Sequence, residues 1–136
     1  MRVVILGCGR VGSMLATALA DQKWEITAVD ANPEAFASLG ENFSGNQVSG
    51  KITDEETLRN AGVESADLVV VLTSDDISNL MAAQLARQRF GKESVLVRVR
   101  DPIKAKAFKE LGLQTICPSD IELEIILKEI GIKPRK

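Results

Sequence analysis

A glycine-rich turn close to the amino terminus is the feature that most constrains this chain. The apolar run 3–6 stops at a glycine, and the spacing G-x-G-x-x-G follows, at Gly7, Gly9 and Gly12. In such a turn the first glycine permits a tight bend, the second leaves room for a pyrophosphate, and the third lets helix and strand pack closely. Because apolar residues recur at helical spacing beyond Gly12, the sequence predicts a strand, a tight turn and a helix whose amino terminus can bind phosphate.

An acid follows the second apolar run. Residues 26–29 end in Asp30, about twenty residues beyond the glycines, where a carboxylate can accept a hydrogen bond from a ribose 2′-hydroxyl. The order strand, turn, helix, strand and acid predicts a site for a dinucleotide or another adenine nucleotide. Glycines that only made a tight turn would leave Asp30 unexplained. NADP is disfavoured, because its 2′-phosphate would face Asp30, while Ala31 and Asn32 rather than an arginine come next.

Strand and helix patterns alternate along the rest of the chain with short connections. Such alternation is typical of a parallel sheet with helices on both faces. We therefore predict an α/β fold with a Rossmann-like, doubly wound, six-stranded parallel sheet of order 3-2-1-4-5-6. The later strands are predicted at 47–49, 68–72, 95–99 and 113–116, and the later helices after Asn32, at Thr53 or Asp54, near Ser74, at Pro102 and at Pro118.

Composition favours binding over catalysis. The 136 residues suffice for one domain and include no histidine and no tyrosine, so the commonest general base is missing. We expect no catalytic residue and no metal site, because no nucleophile motif occurs and Cys8 and Cys117 lack metal-ligand spacing. The net charge of −2 gives no case for nucleic-acid binding, and no apolar run approaches the ~18 residues of a membrane span.

The alternative is an enzyme: a small NAD-dependent oxidoreductase, or the cofactor-binding half of a larger one. Without histidine and tyrosine, such an enzyme would have to use Lys51, Asp75 or Asp76 for proton transfer. A hydride-transfer assay separates this alternative from a binding module.

Several stretches together resemble the nucleotide-binding domain of bacterial and archaeal potassium-transport regulators, the RCK, KTN or TrkA-N domains. The resemblance covers roughly residues 1–130. It is carried by the glycine motif 7–12, by Val29-Asp30 with Asn32-Pro33, by 61–67 before 68–73, by Asp76 and Asn79, by Val97-Arg98 with Asp101-Pro102, and by Leu111-Gly112 and Pro118.

The resemblance implies a ligand, either NAD(H) or ATP/ADP, and a set of residues that bind it. The glycines would embrace the phosphates, Asp30 would hold the ribose, and Arg98 would supply a further cation near the phosphates, although a structural partner such as Asp101 is an equal alternative for that buried charge. The family usually has Gly-Asp-Ala-Thr where this chain has lysine at position 51, which reverses the charge at the base end. The candidate cofactor-binding residues are Gly7, Gly9, Arg10, Val11, Gly12, Asp30, Ala31, Lys51, Thr73, Ser74, Asn79 and Arg98.

The resemblance also implies partners and a location. We expect a cytoplasmic domain at the inner face of the membrane, attached through a potassium channel or transporter subunit and assembled as a homodimer or larger ring. A nucleotide sensor on an unrelated membrane protein is a further alternative. Residues 1–118 would form the nucleotide-binding domain and 119–136 a C-terminal helix and tail that contacts a second copy.

That last helix carries two apolar stripes. Ile121 and Ile125 form one, and the other contains Leu123, Ile126, Leu127 and Ile130. Because a helix packed on one side of a single domain needs one stripe, we expect one stripe to pack on its own sheet and the other on a neighbouring subunit. Burial of both stripes inside one subunit is the alternative.

Overall fold

The computed structural model describes residues 1–133, so the last three positions of the predicted tail lie outside the described residues. Its centre is a six-stranded, all-parallel sheet of order β3-β2-β1-β4-β5-β6. The predicted fold class is therefore confirmed. The strands are β1 (Arg2–Leu6), β2 (Glu25–Asp30), β3 (Asn46–Ser49), β4 (Leu68–Val71), β5 (Val95–Arg98) and β6 (Gln114–Ile116).

Five α-helices and two short 3-10 helices connect the strands. The connections between β1 and β3 lie on one face of the sheet, and those from β3 to β6 lie on the other. The helices are α1 (Arg10–Asp21), α2 (Glu55–Asn60), α3 (Asp76–Gln88), α4 (Pro102–Glu110) and α5 (Pro118–Glu129), and the 3-10 helices are Pro33–Leu39 and Val63–Ser65.

The core is divided between the two faces by the alternation of side chains along each strand. Within β1, Val3 and Ile5 pack under α1, while Val4 and Leu6 pack under α2, α3 and α4. Strands buried on both sides in this way have nearly continuous apolar sequences, which is why the run at β4 is so clear. The sheet is consequently fixed in register, and the ends of its strands meet at one edge.

Polar caps start four of the helical segments. The side chains of Asn32, Asp54, Asp75 and Asp101 each accept a hydrogen bond from the backbone N–H two residues further on, at 2.9–3.1 Å. Such caps satisfy amides that have no partner inside the helix. Of the two predicted caps for α2, the structure uses Asp54. The segment that begins at Pro33 winds as a 3-10 helix, which is common in short connections.

Helix α5 departs from the prediction. None of its residues is buried, and the side chains of both apolar stripes are exposed or half-exposed. The expectation that one stripe packs on its own sheet is therefore wrong, and so is the alternative that both bury inside one subunit. The reason is topological: β6 is an edge strand, and within residues 1–133 no strand of the sheet lies beyond it for α5 to cover.

Replacement of Gly12 by alanine should destabilise the protein. A Cβ at position 12 would overlap the carbonyl oxygen of Gly7, where α1 packs on the end of β1. We expect the free energy of unfolding to fall by about 1–3 kcal/mol, as for other overpacked sites, measured by urea denaturation. Gly9→Ala is the control, because a Cβ there meets nothing within 4 Å. Equal midpoints for Gly12→Ala and wild type would contradict this packing.

Candidate functional site

A crevice of about 720 Å³ opens at the carboxyl ends of the strands, where the chain switches from one face of the sheet to the other. Ligands of doubly wound sheets bind at this topological position. Ten of the twelve candidate residues line it. They are Gly7, Gly9, Arg10, Val11, Asp30, Ala31, Lys51, Thr73, Ser74 and Arg98, and they are joined by Ile52, Thr53, Leu72, Asp75 and Ser78.

The glycine turn brings backbone amides to the crevice. Gly7 has φ +114°, and a Cβ there would lie 2.9 Å from the backbone of Leu72 and Thr73. Gly9 caps α1 without a side-chain hydrogen bond, and a Cβ there would enter open space. The first amide of the turn that pairs with Gly9 is that of Ser13, at 2.9 Å. The amides of residues 10–12, in the first turn of α1, and the positive end of the helix dipole are therefore available to an anion.

Asp30 holds the turn as well as facing the crevice. Its carboxylate accepts one hydrogen bond from the backbone N–H of Cys8 at 2.8 Å and another from that of Asn32 at 2.9 Å. Each oxygen keeps a second acceptor position, so the group can also accept a hydroxyl hydrogen. Burial, and then the charge of Asp30, raise the pKa of the Cys8 thiol. The thiol is therefore protonated at neutral pH and is a poor nucleophile.

Arg98 lies in the crevice wall at the end of β5. One of its guanidinium nitrogens, Nη2, donates to the carbonyl oxygens of Leu72 at 2.6 Å and Thr73 at 3.1 Å. Its structural partners are thus backbone carbonyls and not Asp101. Burial and the neighbouring Arg100 lower the pKa of Arg98, partly opposed by a carboxylate on α3. Among the described residues, its buried Nε has no hydrogen-bond partner.

The family resemblance implies that Asn79 lines the crevice. Asn79 lies behind the crevice instead, which corrects that expectation. Its side chain is 0% exposed, and Nδ2 donates to the carbonyl oxygens of Thr73 at 3.0 Å and Arg98 at 2.9 Å. The hydroxyl of Thr73 donates to its Oδ1. Asn79 therefore ties the ends of β4 and β5 together. Gly12 likewise does not line the crevice, because it packs against Gly7.

Asp76 extends the same network to α4. It is buried, and its carboxylate accepts the backbone N–H groups of Arg100 at 2.7 Å and Asp101 at 3.1 Å. Asp76 therefore fixes the loop between β5 and α4.

The candidate cofactor-binding residues do not include two side chains of the crevice wall, Ser78 and Asp75, and from the sequence Asp75 is considered only for proton transfer in the enzyme alternative. Asp75 caps α3, and the Ser78 hydroxyl, the Ile77 amide and more distant Lys104 lower its pKa, in that order of effect. The available signal was an aspartate in the short connection between the buried strand β4 and α3, which in this fold lies at the crevice edge.

Two further searches of residues 1–133 gave no site. No cluster of three or more histidine, cysteine, aspartate or glutamate side chains could hold a metal ion there. No helix in that range is both long enough and apolar enough to span a membrane.

The sheet order, the glycine turn at a helix start and the acid at the end of β2 define a Rossmann-type fold. Within that class, the TrkA-N domain family model matches residues 3–118. The chain belongs to the TrkA-N domain family.

Curated relatives are named TrkA, like the domain family. The Trk system potassium uptake protein TrkA of Streptomyces coelicolor is 44% identical over 116 residues, covering 85% of this chain and 52% of the relative. A TrkA homolog of Pyrococcus abyssi is 32% identical over 111 residues, covering 82% of this chain and 49% of the relative. The chain thus spans about half the length of these relatives.

Solved structures share the fold. The TrkA-N domain of the inner membrane protein ybaL from Escherichia coli superposes with a TM-score of 0.86 at 18% identity and 96% coverage of both chains. The Shewanella denitrificans Kef CTD in its AMP-bound form gives 0.79 at 22% identity, covering 96% of this chain and 82% of that one.

Removal of the Asn79 amide should cost more stability than its size suggests. Asn79→Ala would leave the Thr73 and Arg98 carbonyls without this buried partner, so we expect the free energy of unfolding to fall by about 2–4 kcal/mol. Urea denaturation measures the effect. Asn60→Ala makes the same change at an exposed position and should change stability by less than about 1 kcal/mol. Similar losses in both variants would show that Asn79 does not join the strands energetically.

Proposed function

We propose that this chain is a nucleotide-binding regulatory domain of a potassium transport system. One observation carries the proposal: unpaired amides at the start of α1, with Arg10 beside them, face a crevice whose next strand end holds Asp30. This arrangement suits a pyrophosphate next to a ribose. The TrkA relatives, which are named as potassium uptake proteins, support the transport context. We propose that the domain acts at the cytoplasmic face of a membrane, in contact with a potassium transporter or channel subunit.

Of the two candidate ligands, NAD(H) and ATP/ADP, the crevice supports NAD(H) better. The lining residues run from the end of β3 to the end of β5, across four interstrand spacings or roughly 19 Å. An extended dinucleotide would use this whole length, whereas a mononucleotide would leave Thr73, Ser74 and Arg98 without a ligand. A GsuK channel bound to NAD shares the fold, with a TM-score of 0.72 at 20% identity. ATP/ADP is the second candidate, since the Kef neighbour binds AMP.

Regulation requires that the ligand bind two states of the domain with different affinity. The crevice walls include the first turns of α1 and α3, which lie on opposite faces of the sheet. A ligand that contacts both would bring these helix ends into one fixed arrangement. The Asn79 and Asp76 hydrogen bonds then connect that arrangement to the start of α4.

Binding without turnover is part of the proposal. Of the three side chains that an oxidoreductase could use, Asp76 is buried and engaged by two backbone amides. Asp75 caps a helix, and its lowered pKa makes it a weak base. Only Lys51 is left to move a proton, and an assay with NADH and small carbonyl substrates tests whether it does.

Helix α5 is the proposed contact with a second copy of the chain. Leu123 and Ile126 are 54% and 52% exposed, and Ile130, on the same stripe, is exposed as well. An apolar stripe that the protein's own sheet does not cover is typical of an oligomer interface. We propose a homodimer or a larger ring built on this helix.

Valine at position 9 should abolish nucleotide binding in a folded protein. Its side chain would enter the open space at the start of α1 that a pyrophosphate would occupy, and nothing in the protein lies within 4 Å of its Cβ. Calorimetry with NAD, NADH, NADP, ATP, ADP and AMP gives the wild-type order, in which NADP should bind least well among the dinucleotides because of Asp30.

Thermal unfolding of Gly9→Val with and without ligand completes the test. Wild type should gain about 2.7 kcal/mol at a ligand concentration one hundred times Kd, whereas the folded variant should gain nothing. Binding retained by Gly9→Val, or a wild type that binds none of the six nucleotides, would refute the proposed site.

Glutamate in the exposed stripe of α5 should shift the protein toward monomer. Ile126→Glu places a charge in the proposed apolar contact, while in an isolated subunit the side chain is already in solvent. Light scattering at micromolar concentrations should show an assembly for wild type and for the exposed control Gln22→Glu, and a smaller species for Ile126→Glu. A monomeric wild type would end this part of the proposal.

A further inference from the structure

Lys51 lies at the end of the crevice beyond Asp30. It follows β3, which pairs with β2 so that Asp30 lies opposite Ser49. The Gly50 amide donates to the Asp30 carbonyl oxygen at 3.1 Å, and the Lys51 carbonyl oxygen accepts the Asp54 amide at 3.1 Å. The backbone of Lys51 is therefore held from both sides, between the end of β2 and the start of α2.

The ammonium group is the main polar group at this end of the crevice. The Lys51 side chain is exposed, and the ion pairs within residues 1–133 involve other side chains. Its neighbours in the crevice wall are the apolar side chain of Ile52 and the hydroxyl of Thr53. The Asp30 carboxylate already accepts two backbone amides. A group bound here would thus meet the Lys51 ammonium group as a strong donor. The acidic side chain at this end of the crevice is that of Asp30.

The order of the residues along the crevice indicates which part of a nucleotide reaches Lys51. Phosphates belong at the start of α1 and the ribose at Asp30, one strand further along the edge. The base attached to that ribose then lies one strand beyond, at the end of β3. An ammonium group only donates hydrogen bonds. At C6 of the purine it can donate to the carbonyl of guanine or hypoxanthine, whereas the amino group of adenine offers no acceptor at that position, and the ring acceptor N7 is common to these bases.

From this placement, which rests on the proposed function, we infer that Lys51 determines base selectivity: the crevice binds dinucleotides with a 6-oxopurine more tightly than those with adenine. Because the Gly50 and Asp54 hydrogen bonds hold the backbone here, a substitution at position 51 changes the side chain and leaves the backbone in place.

NAD and nicotinamide hypoxanthine dinucleotide differ at C6 of the purine, so the ratio of their dissociation constants isolates this contact. Calorimetry on wild type should favour the hypoxanthine form by about tenfold, the effect of one hydrogen bond to a charged group. Lys51→Asp, which supplies an acceptor, should reverse the preference. Lys51→Met, which keeps the length without the charge, should abolish it, and Lys106→Asp on exposed α4 should behave as wild type.

The outcomes separate this inference from the function on which it rests. If both dinucleotides bind wild type but Lys51→Asp and Lys51→Met leave the ratio unchanged, Lys51 does not select the base, and the nucleotide site stands. A wild-type preference for NAD that survives in Lys51→Met also overturns the inference. If wild type binds neither dinucleotide nor ATP, the proposed function fails, and the inference fails with it.

Discussion

The contact on which the rest of the structure depends is the one between the start of α1 and the end of β1. The Gly7 carbonyl oxygen occupies the space that a Cβ of residue 12 would need, and a Cβ on Gly7 itself would lie 2.9 Å from the backbone of Leu72 and Thr73, just past β4. No side chain fits at either point. The helix can therefore begin at the edge of the sheet, with its free amides beside the ends of β1 and β4. The crevice exists because the backbone packs without side chains there.

Asp30 fixes the position of the glycine turn in which that contact lies. A carboxylate at the end of β2 accepts the Cys8 amide inside the glycine turn at 2.8 Å, so β2 and the turn are joined by a charged hydrogen bond at the place where a ribose would bind. The sequence argument assigned Asp30 to a ligand alone. The structure adds that the acid positions the turn, and a substitution there would disturb the site even without a ligand.

The sequence was sufficient for the features that depend on local pattern. Continuous apolar runs identified the buried strands, and Asn32 marked the start of a helical segment although its winding is 3-10. The position of α5 could not be predicted, because an apolar stripe specifies that it must be covered and not by which surface. The position of Asn79 behind the crevice could not be predicted for a related reason. Its partners, Thr73 and Arg98, are brought together by the pairing of β4 with β5, which no local spacing encodes.

The Arg98 environment links the crevice to the helices behind it. The Arg98 guanidinium in the crevice wall donates to the backbone carbonyls of Leu72 and Thr73, which follow β4. The backbone carbonyl of Arg98, at the end of β5, accepts a hydrogen bond from the Asn79 side-chain amide. Any movement of Arg98 toward an anion would therefore move the carboxyl ends of β4 and β5 together. Asp76, which fixes Arg100 and Asp101, extends the effect to the cap of α4. These hydrogen bonds form a contiguous connection from the crevice wall to the cap of α4, through which a group bound in the crevice would act on the surface of the domain.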